Sequence, residues 1–184
     1  MAYRRNQNLG DILGQKTLQN NKVVRKGDIS KQKGGCSPCL TRSDNLCCKQ
    51  IQRTSTFQSR ITKQEFKIYH RLTCKSRFII YLLECLRCYI QYVGKSEWPM
   101  NIRVNKHRND VFREDAIQVC QHFKQPGHNF NRDAKITIIE ELKNKGRSLK
   151  TMRKILEQRE DFWIKKLKTL HPDGFNMELN NNDS

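Results

Sequence analysis

Apolar residues are densest between positions 78 and 93, where two short hydrophobic segments follow one another. Residues 78–83 form an unbroken apolar run of strand length, which is typical of a central strand buried on both faces. Residues 89–93 are predicted to pair with it as a β-hairpin, with Cys85 and Cys88 between them. A third strand is predicted over residues 134–142, where isoleucines recur.

Two helices are predicted around these strands. Pro99 suits the first turn of a helix that runs to about residue 113, and a longer helix follows the break at Gly146, over residues 149–170. Spaced apolar residues over 55–73 indicate one or two further strands. Together these elements predict the α+β class, with a small, three-stranded, mainly antiparallel sheet flanked by helices.

Both predicted helices carry charged or titratable residues on their apolar faces. Arg103 and His107 interrupt the stripe of the first helix, and Glu160 interrupts that of the second. Burying such groups costs free energy unless they are paired. Structural explanations exist for each: Arg103 could reach solvent, His107 could bond a carbonyl, and Glu160 could pair with Arg159. Three such residues in one chain, together with the paired tyrosines, nevertheless indicate a common functional role.

That pattern suits phosphodiester hydrolysis, which needs a base, charge neutralisation and in-line positioning. A carboxylate with a divalent ion stabilises the leaving oxygen, and an arginine fork contacts the non-bridging oxygens. A tyrosine acts as a base only if positive charge lowers its pKa from about 10. Arg103, Lys95 and a bound metal are expected to supply that charge.

Charge and cysteine content narrow the function classes. The chain has 36 Lys and Arg against 18 Asp and Glu, a formal charge of +18 over 184 residues. This excess favours a polyanionic partner, most commonly nucleic acid, over a merely solubilising role. No apolar span long enough for a membrane and no signal core is found, which predicts an intracellular protein. Eight cysteines then favour zinc over disulfides.

Three regions are predicted. Residues 1–73 form a basic, partly flexible extension, residues 74–178 the compact domain, and residues 179–184 a polar tail. The extension contains a cluster that could hold a zinc ion, although its adjacent cysteine pair is less regular than a Cys-x-x-Cys: Cys36, Cys39, Cys47 and Cys48. Cys74 is most simply a small core residue.

A second set of cysteines and histidines has metal-ligand spacing. Cys85 and Cys88 are followed by His122 and His128, which flank a loop-forming Pro-Gly pair. Two thiolates and two imidazoles suit tetrahedral Zn²⁺ in a structural site. The alternative is two buried thiols and two surface histidines, and Cys120 is a substitute ligand.

Residues 74–178 resemble the GIY-YIG nuclease domain, and in particular the variant of Penelope-like retroelements, which places two cysteines between its tyrosine motifs. Ile79-Ile80-Tyr81 stands for the family's Gly-Ile-Tyr, and Tyr92-Val93-Gly94 for its Tyr-Ile-Gly. Ile79 departs from the family glycine, as Penelope-like nucleases also tend to do. The remaining matched positions are Arg103, His107, Glu160 and Asn176.

The resemblance implies a role for each matched residue. Tyr81 would be the general base, and Tyr92 and His107 would position water or phosphate. Glu160 would hold one Mg²⁺ or Mn²⁺, and Asn176 would close the domain. Penelope-like nucleases also resemble this chain in a Cys-Cys-His-His set tied to the hairpin.

The resulting hypothesis is a nuclear DNA endonuclease that nicks target DNA and creates a 3′-hydroxyl primer for retroelement insertion. The chain is expected to be too short to include a reverse transcriptase. Its expected partners, beside DNA, are therefore RNA and a reverse transcriptase encoded elsewhere. One alternative is a non-catalytic, zinc-dependent nucleic-acid-binding module, in which basic residues only grip phosphates. The other is an inactive transposon-derived relic.

Overall fold

The computed structural model describes residues 34–38, 49–113 and 118–180. Seven strands and four helices are defined there. The strands are β1 (Gly35–Ser37), β2 (Thr56–Gln58), β3 (Glu65–Lys67), β4 (Arg71–Thr73), β5 (Ile79–Cys85), β6 (Gln91–Ser96) and β7 (Ala134–Glu141). The helices are α1 (Met100–Arg113), α2 (Gln118–Lys124), α3 (Phe130–Asp133) and α4 (Leu149–Leu167).

The central sheet has the order β6-β5-β7, and both pairings are antiparallel. The predicted three-stranded sheet flanked by helices is therefore confirmed. β5 is buried along its length except at the half-buried Glu84, as expected of a middle strand covered on both faces. Tyr81 of β5 lies opposite Gly94 of β6 and Ile138 of β7.

Two predicted boundaries differ from the structure for backbone reasons. β6 begins at Gln91, not residue 89, because Tyr89 has a left-handed φ of 63° in the hairpin turn and cannot extend the ladder. Helix α4 ends at Leu167, not residue 170, because Lys168 closes it with a left-handed φ of 55°. The start of α4 agrees with the predicted break before it, since the Ser148 side chain caps the helix by accepting a hydrogen bond from Thr151 N.

Residues 35–73 also contribute to the hydrophobic core. Cys36, Phe57 and Leu72 are buried within the same cluster as β5 and β7. Strand β1 pairs with β4 in parallel, and the Ile138 N–H donates to Cys36 Sγ. The core thus draws on both sides of residue 74, the boundary predicted from the sequence. Cys74 is buried in it, as predicted.

The cysteine cluster of the N-terminal region falls only in part on described residues. Cys36 lies in the core, where burial raises the pKa of its thiol to about 11. Cys39, Cys47 and Cys48 lie outside the described residues, so the second zinc site stays a prediction. In the described ranges, no helix has both the length and the apolar character needed to cross a bilayer.

Candidate functional site

Tyr81 is the centre of a buried hydrogen-bonded group. Its side chain is fully enclosed on β5, and its Oη lies 2.7 Å from His107 Nε2. The same oxygen accepts a hydrogen bond from Arg103 Nε at 2.9 Å. Arg103 and His107 are one turn apart on α1, so the helix presents both to one phenol. The two unusual residues of the α1 stripe are therefore partners of Tyr81.

Gly94 makes room for this group. It lies directly across the ladder from Tyr81, and a Cβ placed on it would come within 2.5 Å of Tyr81 Oη. The same Cβ would lie 2.7 Å from Cε1 of Tyr92. Any larger residue would push the phenol away from α1, which gives the glycine of the second tyrosine motif a steric reason.

The protonation states of the group follow from burial. Burial raises the pKa of Tyr81 above its ordinary value, although the Arg103 guanidinium opposes the shift. Arg103 thus lowers the pKa of Tyr81, as expected, but burial outweighs it. The further lowering expected from a bound metal stays a prediction. Burial, with repulsion from Arg103 and Lys106, holds the pKa of His107 well below 6.5. At neutral pH the group thus contains a neutral phenol, a neutral imidazole and a charged guanidinium.

His107 should make folding stability fall at mildly acidic pH. In the unfolded chain it binds a proton below about pH 6.5, whereas the folded protein excludes that proton. Because the unfolded state then binds more protons, the free energy of unfolding should decrease by up to about 1.4 kcal/mol per pH unit below pH 6.5. Urea denaturation between pH 7.5 and 5 measures this slope.

The pH effect has a matched comparison. His107→Gln should reduce the slope, and the part that remains comes from His122, whose pKa is also lowered in the folded protein. The exposed His171→Gln should leave the slope unchanged. An unchanged slope in His107→Gln would show that another group carries the acid sensitivity.

Glu160 lies on α4 and is only 6% exposed. Its Oε2 accepts hydrogen bonds from Lys95 Nζ and from Asn180 Nδ2, each at 2.6 Å. Lys95 also donates to the Asn180 side-chain oxygen. The alternative pairing of Glu160 with Arg159 is wrong, because Arg159 Nη2 lies 2.9 Å from Glu140 Oε2.

Two residues of this region were missed by the sequence reasoning. Asp161 Oδ1 accepts from the backbone N of Asn180 at 2.8 Å and from its Nδ2 at 2.7 Å. The amide of Asn180 therefore lies between Asp161 and Glu160. Asp161 could have been noticed as a second carboxylate beside Glu160 on the helix, but Asn180 lay in the segment interpreted as a polar tail.

Asn176 joins the segment after α4 to β6. Its Oδ1 accepts from Val93 N at 3.0 Å, and its Nδ2 donates to Val93 O at 2.8 Å. The Thr169 hydroxyl donates to the same Oδ1 at 2.8 Å. These bonds hold the segment after α4 against the strand that carries Tyr92.

A cavity of about 470 Å³ opens where these elements meet. Tyr81 and His107 do not line it, but Arg103 both donates to the Tyr81 phenol and lines the cavity. The half-buried Tyr92 ring lies 6.3 Å from the Tyr81 ring, centre to centre, and burial raises its pKa. The predicted site residues that line the cavity are Tyr92, Lys95, Arg103, Glu160 and Asn176.

A separate cluster combines two cysteines and two histidines. The ligand atoms of Cys85, Cys88, His122 and His128 all lie within 4.8 Å of one another. Cys85 ends β5, Cys88 lies in the hairpin turn and His122 lies on α2. Arg87 Nη1, also in the turn, donates to Gly127 O at 2.6 Å and links the two loops.

The donor set of this cluster fits a metal ion. Both ring nitrogens of His128 are buried, and neither has a hydrogen-bond partner among the described residues. Burial and the neighbouring His128 lower the pKa of His122 to about 4, so its imidazole is neutral, the form that binds metals. Cys120 is buried outside the cluster. The four side chains could therefore hold one metal ion.

Comparisons with known proteins give two similar solved structures. One is a mutant of the catalytic domain of intron endonuclease I-TevI, with a TM-score of 0.44 and 21% identity, over 55% of this chain and 94% of that chain. The other is the catalytic domain of homing endonuclease I-TevI, with a TM-score of 0.42 and 22% identity, over 54% and 96%. No family model matches the chain, and no curated protein matches it.

Proposed function

We propose that this chain is a DNA endonuclease of the GIY-YIG type that hydrolyses phosphodiester bonds with the help of a divalent metal. One observation carries the proposal: Tyr81, His107 and Arg103 form a hydrogen-bonded group beside a cavity that also contains Glu160. A base, a forked cation and a carboxylate are the groups that phosphodiester hydrolysis requires.

Arg103 would hold the phosphate. Its Nε is engaged by the Tyr81 oxygen, and its two terminal amino groups can donate to non-bridging phosphate oxygens. Lys95 lines the same cavity and adds positive charge. Because Tyr81 fixes the guanidinium, little conformational freedom is lost when the phosphate binds.

Tyr81 and His107 would move the proton of the attacking water. The phenol is fully enclosed and does not line the cavity, so the side chains around it would have to shift to admit the water. The phenol oxygen would then take that proton while its own proton passes to His107 Nε2, 2.7 Å away. Burial keeps His107 neutral before the reaction, so Nε2 is able to accept. Tyr92, beside both rings, would restrict where the water and phosphate lie.

Glu160 would hold Mg²⁺ or Mn²⁺. The neighbouring oxygen donors, from Asp161 and the Asn180 amide, are of the kind that these hard cations prefer. A bound ion would neutralise phosphate charge and stabilise the leaving oxygen. Lys95 and Asn180 hydrogen-bond the Glu160 carboxylate, so both must shift for it to serve as a ligand.

The Cys-Cys-His-His cluster would hold a structural Zn²⁺. Four protein ligands leave no open position for a reacting water, so the ion would fasten α2 and the following turn to the hairpin. The net charge of +18 supports DNA as the substrate. Retroelement insertion, a separately encoded reverse transcriptase and a nuclear location rest on the sequence resemblance alone.

One observation favours a non-catalytic nucleic-acid-binding module as the second candidate. Glu160 forms an ion pair with Lys95, and an ion pair of this kind gives the carboxylate a structural reason to be there. In that function the basic residues would bind phosphates without cleavage.

A supercoiled-plasmid assay separates the two functions. The protein should convert supercoiled DNA to the nicked circle when Mg²⁺ or Mn²⁺ is added, and EDTA should stop the reaction. Plasmid that is bound, as measured by gel shift, but stays supercoiled in both metals would favour the binding module.

A further inference from the structure

A second groove lies beside the proposed catalytic cavity and shares two lining residues with it. It has a volume of about 620 Å³, and Lys95 and Arg103 line both spaces. Trp98 and Ile102, which are 61% and 50% exposed, also line the groove. A groove with an exposed tryptophan thus opens next to the position proposed for the reacting phosphate.

The backbone of Trp98 is held in place, and its ring is exposed. The Ser96 hydroxyl donates to Trp98 O at 2.9 Å and accepts from Trp98 N at 3.2 Å. Arg77 lies 5.7 Å from the centre of the Trp98 ring. Pro99 and α1 follow immediately, which further limits movement of the backbone. An exposed aromatic ring on a fixed backbone is suited to stacking on a planar ligand.

The charge of the groove favours an anionic ligand. One carboxylate lines it, Glu97, and its Oε1 is paired with Arg153 Nε at 2.8 Å. The basic side chains that line the groove are Lys95, Arg103, Lys106 and Arg153. An aromatic platform surrounded by cations is the arrangement that binds an unpaired nucleobase together with its phosphates.

We infer that this groove receives an unpaired nucleobase of the DNA strand that is cut, so that the preferred substrate contains an unpaired nucleotide beside the scissile phosphate. The inference rests on the proposed endonuclease function. Arg103 and Lys95 would contact the phosphate on one side, and Trp98 would stack on the adjacent base on the other. A fully paired duplex keeps its bases in the stack and offers none to the tryptophan.

The chain permits a direct test, because it contains two tryptophans. Trp163 packs against Phe57 and Phe66, away from the groove, and Trp163→Phe leaves Trp98 as the only indole reporter. Fluorescence is recorded without added Mg²⁺ or Mn²⁺, so that binding is measured apart from cleavage. The probes are a paired duplex, the same duplex with one unpaired thymidine, its single strand, and an RNA strand of equal sequence.

Emission from Trp98 should be quenched by the probes with unpaired DNA bases and little by the paired duplex. Trp98→Ala should weaken binding of the probes with unpaired DNA bases by roughly 5- to 150-fold, which is the range that one stacked base contributes. The same variant should bind the paired duplex as tightly as before. Trp98→Phe should restore most of the loss. Tyr69→Ala, which removes an 81% exposed aromatic residue elsewhere, should have no effect.

Absence of quenching, an equal loss of affinity for all probes in Trp98→Ala, or tighter binding of the RNA strand would overturn the inference. The nicking assay separates this result from failure of the proposed function. If the wild type nicks DNA and Trp98→Ala retains the same rate ratio between unpaired and paired substrates, only the base-binding groove is refuted. Quenching by unpaired DNA without nicking of any substrate would support the groove and overturn the endonuclease function.

Discussion

Glu160→Gln and Arg103→Ala should each slow DNA nicking by about 100- to 1,000-fold. Each removes one charge partner of the transition state, and such a loss costs about 3–4 kcal/mol. Glutamine keeps the size of the Glu160 side chain and an oxygen that can accept from Lys95, but it lacks the negative charge that holds a cation. Rates of supercoiled-plasmid conversion at saturating Mn²⁺ and protein measure the effect.

Glu157→Gln is a matched control for the carboxylate, since it makes the same charge change on α4 one turn earlier and outside the cavity. It should nick DNA at the wild-type rate. Circular dichroism and gel shift should show that all variants fold and bind DNA. Wild-type rates in both Glu160→Gln and Arg103→Ala would refute the site assignment.

Cys85→Ser/Cys88→Ser should remove about one zinc ion per chain. If zinc is present at 100 to 1,000 times its dissociation constant, its loss costs about 3–4 kcal/mol of stability. For a domain of this size that corresponds to a fall in Tm of about 10 °C. Metal analysis of the purified protein and calorimetry measure the two effects. Chelation of the wild type should give a similar fall, which Mg²⁺ should not reverse because it prefers oxygen ligands.

Cys120→Ser provides the control for this experiment, because Cys120 is buried but lies outside the four-residue cluster. Its zinc content should equal that of the wild type. Full zinc retention in Cys85→Ser/Cys88→Ser would place the ligands elsewhere, and the cysteines at 36, 39, 47 and 48 would then be the next set to replace.

The sheet could be predicted because its signals are local. The apolar run of β5 and the isoleucines of β7 identify buried strands from sequence neighbours alone. Helix α1 could be predicted in the same way, because Arg103 and His107 interrupt apolar residues that recur with the 3.6-residue period of a helix. Their common partner, Tyr81, lies more than 20 positions away on a strand, so it could be inferred only through the family resemblance.

The pairing of Glu160 and the pKa direction of Tyr81 could not be predicted in this way. Lys95 is 65 positions from Glu160, and nothing in the local sequence of either residue selects this partner over the adjacent Arg159. The pKa of Tyr81 depends on the balance between burial and a nearby charge. That balance depends on how completely the phenol is enclosed, which is a property of tertiary packing.

The hydrogen bonds of Asn176 also bear on self-association. β6 is an edge strand, and the free N–H and C=O groups of an edge can pair with a strand from another molecule. Here the Asn176 amide occupies both polar backbone groups of Val93, and Phe175 N donates to Gln91 O at 3.0 Å. The segment that closes the domain therefore also shields a sheet edge from intermolecular β-pairing, and so protects a strongly basic protein from aggregating through the strand that carries Tyr92.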